Sequence, residues 1–193
     1  MGQLFLCSLA AYVFARLKFP GHDTLFLLYL ATLMVPEQVR MIPLFIILKK
    51  LGWLNTYRGL IVPGLFSVFG TFLLKQFFQN IPMSLQDAAT IDGAGRLRIF
   101  FSIILPLSKP ALATLAIFTF MFTWNQFLWP LIIIFTEEIK TLTVGLTSFQ
   151  SYYLNKYNLL MAGATLAIMP VMIVFLSMQR YFVQGITLTG LKR

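Results

Sequence analysis

The chain has 193 residues, of which 59% are hydrophobic and only 11% charged, with a mean hydropathy of +0.82. Soluble domains run at about 45–50% apolar and about 25% charged, so this excess cannot be hidden in one globular core, which argues against a soluble enzyme. Fifteen Lys+Arg against six Asp+Glu give a net charge of +9, but the basic residues lie between apolar runs, where they orient membrane helices and attract anionic headgroups; no nucleic-acid partner is expected.

Residues 1–17 are apolar but start abruptly, and they read as the end of a helix with scarcely the length for a crossing. Cys7 is the single cysteine, so it can form neither an internal disulfide nor a cysteine metal cluster, and it reads as helix filler. Arg16 and Lys18 follow the apolar stretch rather than precede it, unlike a secretory signal. His22 and Asp23 come after Pro20-Gly21 and are expected in a solvated turn.

Residues 24–51 read as one long, broken span, because Pro36 and Pro43 interrupt the helix with Glu37 and Arg40 between them. Glu37 and Arg40, at i and i+3, can neutralise each other, either as a structural ion pair or as part of a gate or cavity lining. Residues 57–78 form a further span, with Arg58 and Lys75 near its ends, able to snorkel.

The longest polar interruption follows, IPMSLQDAATIDGAGRLRIFFSIILPLSKP over residues 81–110. Ser84 and Asp87 have capping-box spacing, so a short helix is expected to start at Ser84. Leu85, Ala88, Ala89 and Asp92 then share one face, and small side chains there admit a second surface. Gly93 and Gly95 supply the break, after which residues 96–105 form a second helix stopped before Pro106. The residues alone leave two readings open: docking into a partner's groove, or lying flat on the lipid surface.

Residues 110–136 carry no charge and read as one span, with Trp124, Asn125 and Gln126 near its middle. Polar side chains there either join helices by hydrogen bonds or line a wet path for a hydroxyl-rich solute. Residues 157–179 make the last span. Arg16, Lys18, Arg96, Arg98, Lys109, Arg180, Lys192 and Arg193 fall on one side, and Lys49, Lys50, Arg58, Lys140 and Lys156 on the other; the richer side is expected to be cytoplasmic. The fold class is therefore all-α, a polytopic transmembrane bundle of about five spans, with the short helix between the third and fourth.

Asp87-Ala88-Ala89, Asp92-Gly93-Ala94 and Ile104-Leu105-Pro106, in that order, resemble the EAA loop of bacterial ABC import permeases. Ala11-Tyr12 with Ala15-Arg16, Phe19-Pro20-Gly21, Ile42-Pro43-Leu44, Trp124-Asn125 with Phe127, Thr141-Leu142 with Gly145-Leu146, and Gln179-Arg180-Tyr181-Phe182 with Gly185 resemble the carbohydrate-type, maltose-permease-like branch. The resemblance covers essentially all 193 residues as one permease transmembrane domain. Asp87 stands where the family most often has glutamate, and members usually begin with another transmembrane helix, so an N-terminally truncated permease is expected.

The resemblance implies a multi-pass protein of the bacterial cytoplasmic membrane that forms half of a pore for a sugar or oligosaccharide. It implies a second homologous permease, two ABC ATPases and an extracytoplasmic solute-binding protein as partners, with the lipid membrane around them. Ser84, Asp87, Ala88, Ala89, Asp92, Gly93 and Pro106 would carry ATPase coupling; Glu37, Arg40, Trp124, Asn125 and Gln126 are candidates for the pathway or gate. No catalytic or metal residue is expected, and ATP and Mg would be bound by the partner ATPases. The chain has no G-x-x-x-x-G-K-[ST] loop and no carboxylate pair of catalytic spacing, which argues against an intramembrane enzyme. The loop over 137–158, with Tyr152, Tyr153 and Tyr157, would meet the binding protein or form an aromatic belt, and residues 190–193 make a basic end that could touch the ATPases. The alternatives are a permease for another solute, such as a peptide or polyamine, and a truncated remnant without a transport role.

Overall fold

Lipid offers no partner for backbone N–H and C=O groups, so apolar runs of this kind satisfy themselves as helices. The computed structural model describes residues 1–149 and 157–190, with side chains through residue 177, and every regular element in it is helical. In order these are α1 (Gly2–Arg16), α2 (His22–Ala31), α3 (Glu37–Lys50), α4 (Tyr57–Ile61), α5 (Val68–Gln79), α6 (Met83–Ile91), α7 (Arg96–Ile99), α8 (Leu105–Leu107), α9 (Lys109–Trp124), α10 (Leu128–Ile133), α11 (Leu142–Gly145) and α12 (Tyr157–Gly190). Lys156, Tyr152, Tyr153, Lys192 and Arg193 lie outside the described residues, as does the side chain of Arg180.

Two stretches among the described residues are long and apolar enough to cross a membrane, Tyr57–Gln79 and Tyr157–Ser177, or up to four if two bent pairs each count as one. The pairs are His22–Met34 with Glu37–Lys50 and Arg96–Leu107 with Lys109–Trp124, the second bent by 78°. At about 1.5 Å per residue, the 15 residues of α1 span roughly 22 Å, short of a hydrocarbon core of about 30 Å.

Three expectations about the spans are corrected. Residues 110–136 do not form one helix: α9 ends at Trp124 and α10 starts at Leu128, because Asn125 turns its amide back onto the Met121 carbonyl at 2.8 Å and Gln126 N–H tightens onto Thr123 O. In 24–51 only Pro36 marks a break; α3 runs on through Pro43, which costs one backbone bond and leaves the helix otherwise whole. The second loop helix does not stop before Pro106. It passes through a π-helical stretch, Phe100–Ile104, in which Leu105 N–H reaches back to Phe100 O, and α8 carries Pro106 in its first turn, where a missing N–H is tolerated.

The helices sort into two compact units. In the first (Met1–Val35, Leu65–Ala116, Gln179–Arg193), α1 packs along α5 through Cys7, Ala11 and Tyr12 against Leu74 and Phe78, with Ile99, Phe100, Ile104 and Leu115 completing the cluster. Burying one such side chain contributes about 1.5–3 kcal/mol where water is the alternative, though toward lipid the gain is close packing instead. Ser67 caps α5 by accepting from Gly70 N–H at 3.0 Å. Lys75, expected to snorkel, is buried, with its ammonium 3.6 Å from the centre of the Phe26 ring. His22, expected in a solvated turn, sits against the rings of Phe14 and Phe19, one ring nitrogen 2.7 Å from Asp23 Oδ1 and the other 3.0 Å from Phe14 O.

In the second unit (Pro36–Gly64, Ile117–Met178), Leu48, Trp129, Ile133 and Ile134 form the core, with Met41, Leu44 and Trp53 around it. Asn55 takes φ 54 and its side-chain oxygen accepts from Phe135 N–H at 2.9 Å and Thr136 N–H at 3.1 Å, fixing the chain as it leaves α10. Trp129 donates to Gly59 O at 3.2 Å, and Trp124 donates to Ala167 O of α12 at 3.0 Å.

Candidate functional site

In the first unit, α6 begins one residue before Ser84 and has Pro82 as its N-cap, with no side-chain cap bond. The capping box between Ser84 and Asp87 does not form, because Pro82 already sets the helix-entry conformation (φ −56, ψ 133) and places Ser84 inside the first turn. The C-terminal end is built as its sequence requires. Gly93 takes φ +79, its N–H bonds Thr90 O at 3.0 Å, and Ala94 N–H bonds Ala89 O at 2.8 Å, the paired bonds of a Schellman motif.

The expected common face of Leu85, Ala88, Ala89 and Asp92 divides. Ala89 is buried in its own unit's core, 8% exposed, because its methyl packs into the Phe78–Phe100 cluster. Ser84, Leu85, Asp87, Ala88, Ile91 and Asp92 are exposed, Ile91 at 86%. An outward helix with an isoleucine at its tip and carboxylates beside it offers a partner both apolar and ionic contact. Pro106 lies in α8, beyond the π-helical stretch.

What holds α6 in place was not read from the sequence. Arg16, expected as a loop charge, is 9% exposed. Its Nη2 donates to Phe78 O and, at 2.5 Å, to Ile81 O, while Nη1 meets Met83 Sδ. Tyr12, one turn earlier on the same face of α1, donates to Arg96 O at 3.3 Å and packs its ring 5.2 Å from Phe100. The sequence marks the pair by i, i+4 spacing and by the family resemblance of Ala11-Tyr12 with Ala15-Arg16, neither of which says what they hold.

In the second unit the structure brings two candidate pathway residues together and leaves the others apart. Gln126 Nε2 donates to Glu37 Oε1 at 3.4 Å, and Thr143 Oγ1 donates to Gln126 O at 2.9 Å, with Thr141 Oγ1 3.2 Å further along. The expected Glu37–Arg40 ion pair is absent among the described residues; both side chains are exposed, and Glu37 turns to Gln126 instead. Trp124 joins helices through Ala167, and Asn125 bonds its own helix. In the sequence Thr141 is marked only by a family resemblance and Thr143 by nothing, because two threonines in a loop carry no signal of their own.

Together these features define an all-α, multi-pass membrane protein with a short exposed helix between membrane segments. Residues 4–188 match the family described as the binding-protein-dependent transport system inner membrane component, and the chain belongs to that family. It is a carbohydrate-type ABC permease subunit of the inner membrane, a transport component and not a catalytic chain.

The chain is 40% identical over 190 residues to the arabinooligosaccharides transport system permease protein AraQ of Halalkalibacterium halodurans, covering 98% of this chain and 68% of the relative. It is 39% identical over 188 residues to the sn-glycerol-3-phosphate transport system permease protein UgpE of Yersinia pestis, covering 96% and 67%. A crystal structure of a bacterial ABC transporter involved in the import of the acidic polysaccharide alginate matches with a TM-score of 0.83 at 26% identity, over 94% of this chain and 69% of that one. The chain thus spans about two thirds of the length of these relatives.

Proposed function

We propose that residues 1–193 serve as one transmembrane domain, about five spans counting α1, that forms half of the pathway of an ATP-driven importer for a sugar or oligosaccharide. A second permease completes the pathway, two cytoplasmic ATPases bind and hydrolyse ATP with Mg, and an extracytoplasmic binding protein delivers the solute. The solutes named for the relatives, arabinooligosaccharides, sn-glycerol-3-phosphate and alginate, share a high density of hydroxyl groups. Glu37, Gln126 and Thr143 offer the acceptors and donors that hydroxyls need.

The observation that carries the coupling role is the placement of α6: anchored inward by Ala89, ended at Gly93, and exposing Asp87, Ala88 and Ile91. A helix held this way transmits a push on its outer face as a rigid-body displacement. Ala88→Trp adds bulk to that outer face without entering the chain's own core. In membranes carrying the complete importer, Ala88→Trp is expected to lower ATPase copurification and solute uptake at least tenfold while the permease itself inserts normally. Retained ATPase with intact uptake would remove α6 as the ATPase contact.

A further inference from the structure

Arg16 is the one arginine buried among the described residues, and it has no carboxylate partner. Removing a guanidinium from water is costly unless its donors are satisfied, and here Nη1 and Nη2 turn to a thioether and two backbone carbonyls rather than to a counter-charge. Phe78 lies in the last turn of α5 and Ile81 just beyond it, so the cation sits at the negative end of that helix, where it is favoured. Nε is left buried without a partner, so the site is not arranged to satisfy the guanidinium fully. What the planar fork supplies is geometry: one rigid group holds an acceptor in the last turn of α5 and one in the short connection to α6, and touches Met83, the first residue of α6.

Tyr12 grips the other end. Its hydroxyl bonds Arg96 O at the start of α7, immediately after the Gly93–Gly95 break, and its ring rests on Phe100 where the π-helical stretch begins. Both side chains come from one face of α1, where Cys7, Ser8 and Ala11 are also buried and Cys7 and Ala11 join the cluster with Leu74 and Phe78 of α5. Entry to and exit from α6 are therefore tied to a single helix by two side chains one turn apart.

We propose that α1 is the lever that carries displacement of α6 into the membrane, with Arg16 and Tyr12 as positioning residues that fix α6 to it at both ends. The proposal rests on the coupling role of α6 given above. It predicts that weakening the clamp lets α6 move without moving the bundle, so that ATP is hydrolysed with less solute carried.

The test uses the complete importer in proteoliposomes with its binding protein, and the readout is solute transported per ATP hydrolysed in complexes that retain the ATPase. Arg16→Met, which keeps length and loses the fork, is expected to lower this ratio at least tenfold, and Arg16→Lys, which keeps charge at the α5 end, to restore part of it. Tyr12→Phe keeps the ring on Phe100 and loses only the bond to Arg96, and is expected to lower the ratio two- to threefold. If Arg16→Met does not assemble, Arg16→Lys and Tyr12→Phe decide: an unchanged ratio in both overturns the lever, and a lowered ratio in either supports it. Ala88→Trp separates the two ideas. If it keeps ATPase and uptake, the docking reading of α6 fails; if it loses them while the clamp variants transport at the normal ratio, only the lever fails.

Discussion

Gly59 illustrates how a single backbone oxygen can dictate a residue. A Cβ built there would lie 2.4 Å from Trp53 O, and a carbonyl within a loop held by Thr56 and Asn55 cannot swing away as a side chain would. Gly59 also presents its own carbonyl to Trp129, so a shift of the main chain disturbs a second bond. Gly59→Ala is therefore expected to destabilise the protein by about 1–3 kcal/mol, the usual range for forced overpacking. Gly64→Ala, which meets nothing within 4 Å, is expected to be close to neutral. Thermal unfolding of the two variants in one detergent gives the comparison, and equal melting temperatures would refute the steric account. The charged residues make a related point. Arg16 and Lys75 were read from their formal charge as loop and snorkelling groups, yet carbonyls and an aromatic face hold both inside the bundle. Nothing in a linear sequence says which carbonyls will converge on a cation, because the acceptors belong to residues more than sixty positions away.

Helix ends were legible in the sequence where backbone conformation decides them and illegible where competition does. Gly93 ends α6 because only glycine enters φ +79 without strain, a property of one residue type. Ser84 looked like a cap because serine, two residues and a carboxylate form the right pattern, but Pro82 two positions earlier won the competition for the helix start. The same competition separates real caps from apparent ones. Ser67→Ala, which removes the acceptor for Gly70 N–H, is expected to lower stability by about 0.5–2 kcal/mol, whereas Ser84→Ala, which removes no cap bond, is expected to leave it unchanged. A matching loss in both, measured by thermal unfolding, would restore the capping box. The break at 125–127 was missed for a comparable reason: composition reports that a run is apolar, while the turn depends on one asparagine amide returning to the helix it ends. The spans expected at 57–78 and 157–179 agree within two residues with the apolar stretches at 57–79 and 157–177, because length and hydropathy alone suffice for them.

The distribution of charge over the whole chain predicts its orientation, and the single cysteine makes the prediction easy to test. Arg96 and Arg98 directly follow the segment that contains α6, and basic residues are retained preferentially on the cytoplasmic side. If the bent pair Arg96–Leu107 with Lys109–Trp124 counts as one span, a single pass separates Asp87 from Glu138 and the two residues are expected on opposite faces of the membrane. Cys7→Ser should be tolerated: the thiol is buried and donates to Ser67 O at 3.4 Å, and a hydroxyl can donate to the same oxygen. In that background, Glu138→Cys is expected to react with a membrane-impermeant maleimide in right-side-out vesicles, and Asp87→Cys only in inverted ones. Because both side chains are exposed, failure to label cannot be put down to burial within the chain. Labelling of both from one side would mean that the bent pair does not cross and that the break at Ser108 turns it back. The ATPase-facing role of α6 would fall with that result only if Asp87→Cys were reached from outside, since coupling to a cytoplasmic ATPase requires α6 to face the cytoplasm.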